Sequence, residues 1–279
     1  MTDNAHPERQ RRLLYGRRKG PKLSAHQTQL VETLLSKLAL TPEPGRDPRN
    51  YFNGDVKDVW LEVGFGGGEH FLWQAQHHAD IGMIGAEPYL NGIAKLLSSL
   101  APAGGEGRGE GVAGRQKPES RNQNHAVDAS NSEFERQSSD VEHPPHPDPL
   151  PLRGRGNIRI YTGDARDIID ALPDASLGRV FILFPDPWPK TRHHKRRFVQ
   201  TELLDALARV MRRGAELRFA SDDAPYMEWT LERLMAHPAF AWTARGPSDW
   251  LTRPEDWPPT RYEAKALHGK PAYLRFLRP

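Results

Sequence analysis

The 279-residue sequence contains no cysteine. Disulfides, thiolate nucleophiles and Cys-type zinc sites are thereby excluded, while the compartment is left open by redox arguments. Long apolar runs are missing as well. No stretch approaches the roughly 20 residues of a membrane span, and the first residues are polar and basic where a secretory signal needs an apolar core. A cytoplasmic protein without a membrane partner is the expectation. A strong charge of either sign is also absent, since 39 Lys and Arg stand against 36 Asp and Glu for a net +3 with His neutral. Basic character is therefore a matter of placement. It gathers at Arg9, Arg11, Arg12, Arg17, Arg18, Lys19 and Lys22, and again after Asp186, and such clusters can neutralise phosphates. Among the histidines, His77-His78 and His193-His194 are adjacent pairs whose side chains diverge, so no metal site is expected.

A hydrophobic content of 37% suffices for a sizeable core. Residues 101–156 cannot contribute to it, being rich in Gly, Pro, Ser and charge with almost no aliphatic side chains. With that stretch set aside as a disordered insertion, short aliphatic runs alternate with amphipathic ones, the pattern of an α/β fold with a mostly parallel sheet. Seven strands are predicted over 58–65, 81–87, 157–164, 179–186, 215–223, 239–245 and 272–279. Helices should separate the first six. The stretch "RRFVQTELLDALARVMRRG" reads as one crossover helix, with Phe198, Leu203, Leu204, Leu207 and Val210 near helical spacing and Gly214 as its stop.

Four successive strands end on acids: Glu87, Asp164, Asp186 and Asp222. In an open parallel sheet ligands bind beyond the carboxyl ends of the strands, which places the site there. The first strand runs into "LEVGFGGGEH", where Gly64, Gly66, Gly67 and Gly68 make a turn before a helix and let a ligand approach the backbone. A dinucleotide fingerprint from Gly64 would need glycine at 69, where this chain has Glu69. Glu62, close to the same loop, would repel a diphosphate and suit a cation. Glu87 is placed to accept ribose hydroxyls and Asp164 to face an adenine. A cationic nucleoside held by carboxylates over a glycine turn is the chemistry of S-adenosylmethionine.

"LEVGFGGGEH", "IGAEPY" and "TGDARD" resemble the cofactor motifs of class I methyltransferases. "FPDPWPKTRHHKRR" at 184–197 is nearly a full match to the signature of the bacterial tRNA (guanine-N7-)-methyltransferases, and "TRYE" at 260–263 is similar to that family's T-x-[FY]-E motif. The resemblance implies a Rossmann-like fold with a seven-stranded, mostly parallel sheet and helices on both faces. It implies a basic extension and first helix over 1–50, then a methyltransferase domain over 51–279 interrupted at 101–156. The reaction implied is methyl transfer from S-adenosylmethionine to guanine N7 of tRNA, at position 46 of the variable loop, by a monomer or homodimer. Cofactor contacts would come from Glu62, Gly64, Gly66, Gly68, Glu87, Asp164 and Asp186, with Asp186 also catalytic. Lys190, Asp222, Thr260, Arg261, Tyr262 and Glu263 would face the substrate, and Arg192, Lys195, Arg196 and Arg197 the RNA backbone.

Two physical arguments accompany the resemblance. Cations at the start of a helix oppose its macrodipole, so an anion such as RNA phosphate should compensate them. Trp188 and Tyr262 offer planar faces for a splayed base. The alternatives are an exocyclic amino methyltransferase, because Asp186-Pro187-Trp188 is similar to the acidic-Pro-Pro-aromatic motif of such enzymes, and a non-catalytic RNA-binding protein on this fold.

Overall fold

Apolar side chains on both faces of most strands force helices onto both sides of the sheet. The computed structural model describes residues 14–16, 20–101, 156–265 and 268–279. The insertion at 102–155 and most of the basic N-terminal cluster lie outside the described residues. The sheet contains β1 (Asp58–Val63), β2 (Ile81–Ala86), β3 (Ile158–Tyr161), β4 (Leu177–Leu183), β5 (Met211–Ser221), β6 (Ala241–Trp242) and β7 (Ala272–Leu277). Their order is β3-β2-β1-β4-β5-β7-β6, with β7 antiparallel to both neighbours. The expected seven-stranded, mostly parallel sheet is thus present.

The helices are α1 (Ala25–Leu30), α2 (Ser36–Leu38), α3 (Glu69–His77), α4 (Leu90–Leu100), α5 (Ala165–Ala171), α6 (Thr201–Val210), α7 (Ala224–Ala236), α8 (Ser248–Leu251) and α9 (Arg261–Lys265). A π-helical turn, Val31–Leu35, joins α1 to α2. Strand alternation sorts β1 between two cores: Val59 and Leu61 pack with Ile168, Leu204, Leu207 and Tyr226 from α5, α6 and α7. Trp60 faces the other way, toward Phe71, Leu72, Ile93 and Leu97 from α3 and α4. Leu38 belongs to this second core, so the first helical stretch is part of the same packed unit rather than an appendage.

The crossover helix is shorter than its periodicity suggested. It starts at Thr201 rather than near Arg196 and ends at Val210, where β5 follows at once. Gly214 does not stop it; with φ of 78° it sits where the β4–β5 register slips between Leu177 and Arg179. The adjacent strands β1 and β4 leave their chains on opposite sides, β1 crossing to β2 and β4 to β5. That reversal opens a crevice beyond their carboxyl ends.

Candidate active site

The glycine turn forms one wall of the crevice. Gly64, Gly66 and Gly68 have φ of 68°, 56° and 83°, values that a side chain would strain. The turn is tied to the end of β2 through Glu87: Gly66 N–H donates to Glu87 Oε2 at 2.8 Å and Tyr89 N–H to Oε1 at 2.8 Å. From the helix side, Gly92 of α4 lies so close that a Cβ there would meet the Gly66 carbonyl oxygen at 2.3 Å. Strand, turn and helix therefore fix one buried carboxylate.

A cleft of about 570 Å³ opens over this carboxylate, lined by Gly64, Gly66, Glu87, Asp164, Asp186, Trp188 and Tyr262 among others. Burial raises the pKa of Glu87. The two backbone donors oppose that shift, and the charges of Asp186 and Glu62 add to it. Glu87 and Asp186, two like charges at one open cleft, are poised to receive a cation. Asp164 caps α5, accepting from Arg166 N–H at 3.0 Å, and its Oδ1 and Oδ2 are gripped by Arg166 Nε at 3.0 Å and Nη2 at 2.5 Å.

Glu62 is not at the cleft. Alternation turns it to the α3 side of the sheet, 2% exposed, where His70 Nδ1 lies 2.7 Å from its Oε2. Gln74 Nε2 donates to the Asp256 carbonyl at 2.8 Å and sits 3.1 Å from His70 Nε2. His70 thus links Glu62 to Gln74 through its two ring nitrogens. Glu62 reaches the site only as a field and as a brace for α3. Gly68 is likewise outside the lining: it opens α3, and a Cβ there would meet Leu96 Cδ1 at 2.7 Å.

"TRYE" folds as the start of α9. Thr260 Oγ1 accepts from Glu263 N–H at 3.2 Å, the first half of a capping box, but the Glu263 carboxylate turns away to Tyr273 Oη at 2.6 Å and Arg253 Nη1 at 2.9 Å. Arg261 Nε donates to Glu69 Oε1 at 2.9 Å, which docks α9 on the first turn of α3. The same docking lays the Tyr262 ring over Gly66, where a Cβ would lie 3.1 Å from Tyr262 Cε2, with the residue 47% exposed at the cleft mouth. Of this motif only Tyr262 lines the cleft. Asp222 accepts from His268 N–H at 3.1 Å and is not part of the lining.

The stretch after β4 carries two left-handed residues that are not glycine, Phe184 at φ 49° and Trp188 at 47°. They bracket Pro185-Asp186-Pro187 and present Asp186, exposed, to the cleft. Trp188 is not core; it lines the cleft with Arg196 over its ring at 5.0 Å. The cations form their own 3-10 turn, Thr191–Arg196, separated from α6. The cations consequently do not sit at the start of α6. His193, His194, Lys195 and Arg196 occupy the carboxyl end of that turn, the favourable end for positive charge, while α6 opens with Glu202. Burial and then Arg196, Arg192, Lys190 and Lys195 depress the His193 pKa, a sign of how concentrated the positive field is. Lys190, Arg192 and Lys195 are exposed. Arg197 departs from its expected place on the RNA backbone: it is 2% exposed, at the cleft lining, and bonds to the Pro187 and Pro225 carbonyls.

One contributor escaped sequence reasoning. Leu14, Tyr15 and Gly16 lie against the cleft, Tyr15 edge-on to Trp188 at 6.2 Å and beneath Arg196 at 5.0 Å. An aromatic embedded in the basic N-terminal cluster was the available signal. Downstream, Asn91 Nδ2 donates to the Pro21 carbonyl at 2.8 Å and so anchors this segment on α4.

Comparison with known proteins adds an independent line. Residues 119–275 match a family model described as "Putative methyltransferase". A tRNA (guanine-N(7)-)-methyltransferase of Rhodospirillum rubrum is 43% identical over 272 residues, covering 95% of this chain and 87% of its own. Another of that name, from Brucella anthropi, is 40% identical over 283 residues and the whole of both chains. Among solved structures, the 16S rRNA methyltransferase KamB aligns over 81% of this chain and 90% of its own, at 14% identity and a TM-score of 0.44.

Proposed function

The chain belongs to the tRNA (guanine-N(7)-)-methyltransferase family, and we propose that it transfers the methyl group of S-adenosylmethionine to N7 of a guanine in tRNA, with position 46 of the variable loop as the target. The observation that carries the site assignment is the convergence of Glu87 and Asp186 on one cleft whose rim is cationic and aromatic.

The residues fit the cofactor. A left-handed glycine turn gives close backbone approach, Gly64 has open space above its Cα, and Glu87 keeps acceptor capacity for hydroxyls beyond its two backbone donors. When bound, S-adenosylmethionine supplies an electrophilic methyl on a sulfonium. Glu87 would hold the ribose, Asp164 and Arg166 would border the adenine, and Tyr262 over the turn would close the mouth of the cleft. Guanine N7 carries an in-plane lone pair, so no protein group has to remove a proton before attack. Alignment and charge placement suffice. Asp186 would orient the guanine and favour the positive charge that develops on its imidazole ring, and Trp188 would offer the base a face. Lys190, Arg192 and Lys195, all exposed, would meet RNA phosphates.

The test is incubation of tRNA with isotopically labelled S-adenosylmethionine, nuclease digestion and mass spectrometry of the nucleosides. Label in 7-methylguanosine, lost when the guanine at position 46 is replaced, is the expected result. Label on an exocyclic amino group would overturn the reaction, and label persisting after the replacement would overturn the position.

A further inference from the structure

The Pro185–Pro189 segment, which carries Asp186 and Trp188, is short of the means to hold itself. Three of its five residues are proline and have no N–H to donate, and left-handed residues stand just before it at Phe184 and within it at Trp188. Strained backbone of this kind persists only where surrounding structure over-determines it. On the β4 side, Phe184 N–H donates to the Ala220 carbonyl at 2.8 Å. On the other side the Pro187 carbonyl needs a donor from elsewhere in the chain.

Arg197 provides that donor. Its Nε donates to the Pro187 carbonyl at 2.9 Å, the peptide oxygen between Asp186 and Trp188. Its Nη1 reaches the Pro225 carbonyl at 3.3 Å, in the first turn of α7. The guanidinium lies 5.0 Å from the ring centres of both Tyr226 and Trp229 on that helix. Gln200 Nε2 donates to the Arg197 carbonyl at 2.9 Å and to that of His194 at 2.8 Å, fixing the backbone from which the side chain departs. The side chain is buried at 2% exposure with Nη2 lacking a hydrogen-bond partner, an expense hard to understand for a phosphate contact. A planar fork can bridge two carbonyls while stacking on aromatic faces; a lysine cannot.

We propose that Arg197 is a positioning residue for methyl transfer, clamping the Pro187 carbonyl to α7 so that Asp186 and Trp188 stand over the cleft. The proposal rests on Asp186 being the carboxylate that faces the target base. Unlike the cations beside it, Arg197 acts through the loop and not on RNA.

The experiment is a double-mutant cycle with Asp186→Ala, Arg197→Lys and their combination, read as kcat and KM for tRNA, cofactor affinity, and tRNA affinity at several salt concentrations. Arg197→Lys keeps a cation and an aliphatic stem in the buried site, so it carries the test even if Arg197→Ala does not fold. Expected for Arg197→Lys is a fall in kcat of about tenfold or more, with cofactor affinity, tRNA affinity and the salt slope unchanged. In the Asp186→Ala background the same change should cost much less, because only Trp188 is then left for the clamp to position. Losses that multiply in the double variant would overturn the role of Arg197 alone. So would a salt slope lowered by about one unit with kcat intact, the mark of a lost phosphate contact. Full turnover by Asp186→Ala would remove the catalytic reading and this proposal together.

Discussion

Glu87 shows how one side chain joins fold to function. Burial and the neighbouring charges of Asp186 and Glu62 raise its pKa, while Gly66 and Tyr89 N–H groups hold it partly back. A cationic ligand in the cleft favours the ionised form, so the bound pKa should lie below the free one. Binding then releases protons across that window. Affinity for S-adenosylmethionine should fall as pH drops through the raised pKa of the free protein, beginning above the ordinary glutamate range, and should level off at higher pH. Glu87→Gln should weaken binding by about 10- to 150-fold, the worth of hydrogen bonds to a charged group at about 1.5 to 3 kcal/mol, and should flatten the pH dependence. Calorimetry in two buffers of different ionisation enthalpy measures the proton release directly. An unchanged pH profile in the variant would place the linked proton on another group.

At the scale of elements, periodicity and strand-end acids made much of the fold legible. All seven strands overlap the runs that predicted them, although β5 begins at Met211, inside the expected helix, and β6 shrinks to Ala241–Trp242; Glu87, Asp164 and Asp186 all reach the cleft. What one dimension hides is side-chain direction and distant partners. Glu62 reads as a site carboxylate from its place beside the glycines, yet it is turned to His70, and Arg197 reads as one cation in a run, yet it is the one drawn inward. Gly92 is a third case, since a glycine inside a helical pattern gives no hint of what it touches. Alanine there should by propensity stabilise α4 by about 1 kcal/mol. Its Cβ would instead meet the Gly66 carbonyl at 2.3 Å, and that atom is backbone with no rotamer to yield. Gly92→Ala should therefore weaken cofactor binding at least about tenfold while lowering the melting temperature by a few degrees. A raised melting temperature with unaltered binding would show that α4 does not set the turn. The exposed cations make a separate prediction. Replacing Lys190, Arg192 and Lys195 with Ala should reduce the slope of log affinity for tRNA against log salt by roughly 0.7 to 0.9 per lost contact, with cofactor binding unaffected. A fluorescence titration at three salt concentrations reads both.

For the whole molecule, the question is whether the packed unit needs the segment at 101–156, which falls almost entirely outside the described residues. Its two attachment points are secured without it. On one side α4 runs to Leu100, with Ile93, Leu96, Leu97 and Leu100 buried in the core shared with α3. On the other, Asn157 Nδ2 donates to the carbonyls of Ala75, His78 and Ile81 at 3.0, 3.3 and 3.2 Å, which pins the start of β3 to the end of α3 and the start of β2. Ile158 then pairs with Met83. Loop-closure entropy grows only as the logarithm of length, so shortening the connection by several-fold changes folding free energy by about 1 to 2 kcal/mol, in the stabilising direction if the shorter chain still spans the gap. Replacing 102–155 with a flexible Gly/Ser linker of about ten residues should accordingly leave the melting temperature equal or higher, and S-adenosylmethionine affinity and tRNA turnover within a few-fold. The composition of the segment supports the same expectation, because a chain so poor in aliphatic residues has little to bury. Loss of folding would assign it a structural role. Intact cofactor binding with a large rise in KM for tRNA would instead make it part of the RNA-binding surface, leaving the basic rim around Lys190, Arg192 and Lys195 as only a fraction of the contact.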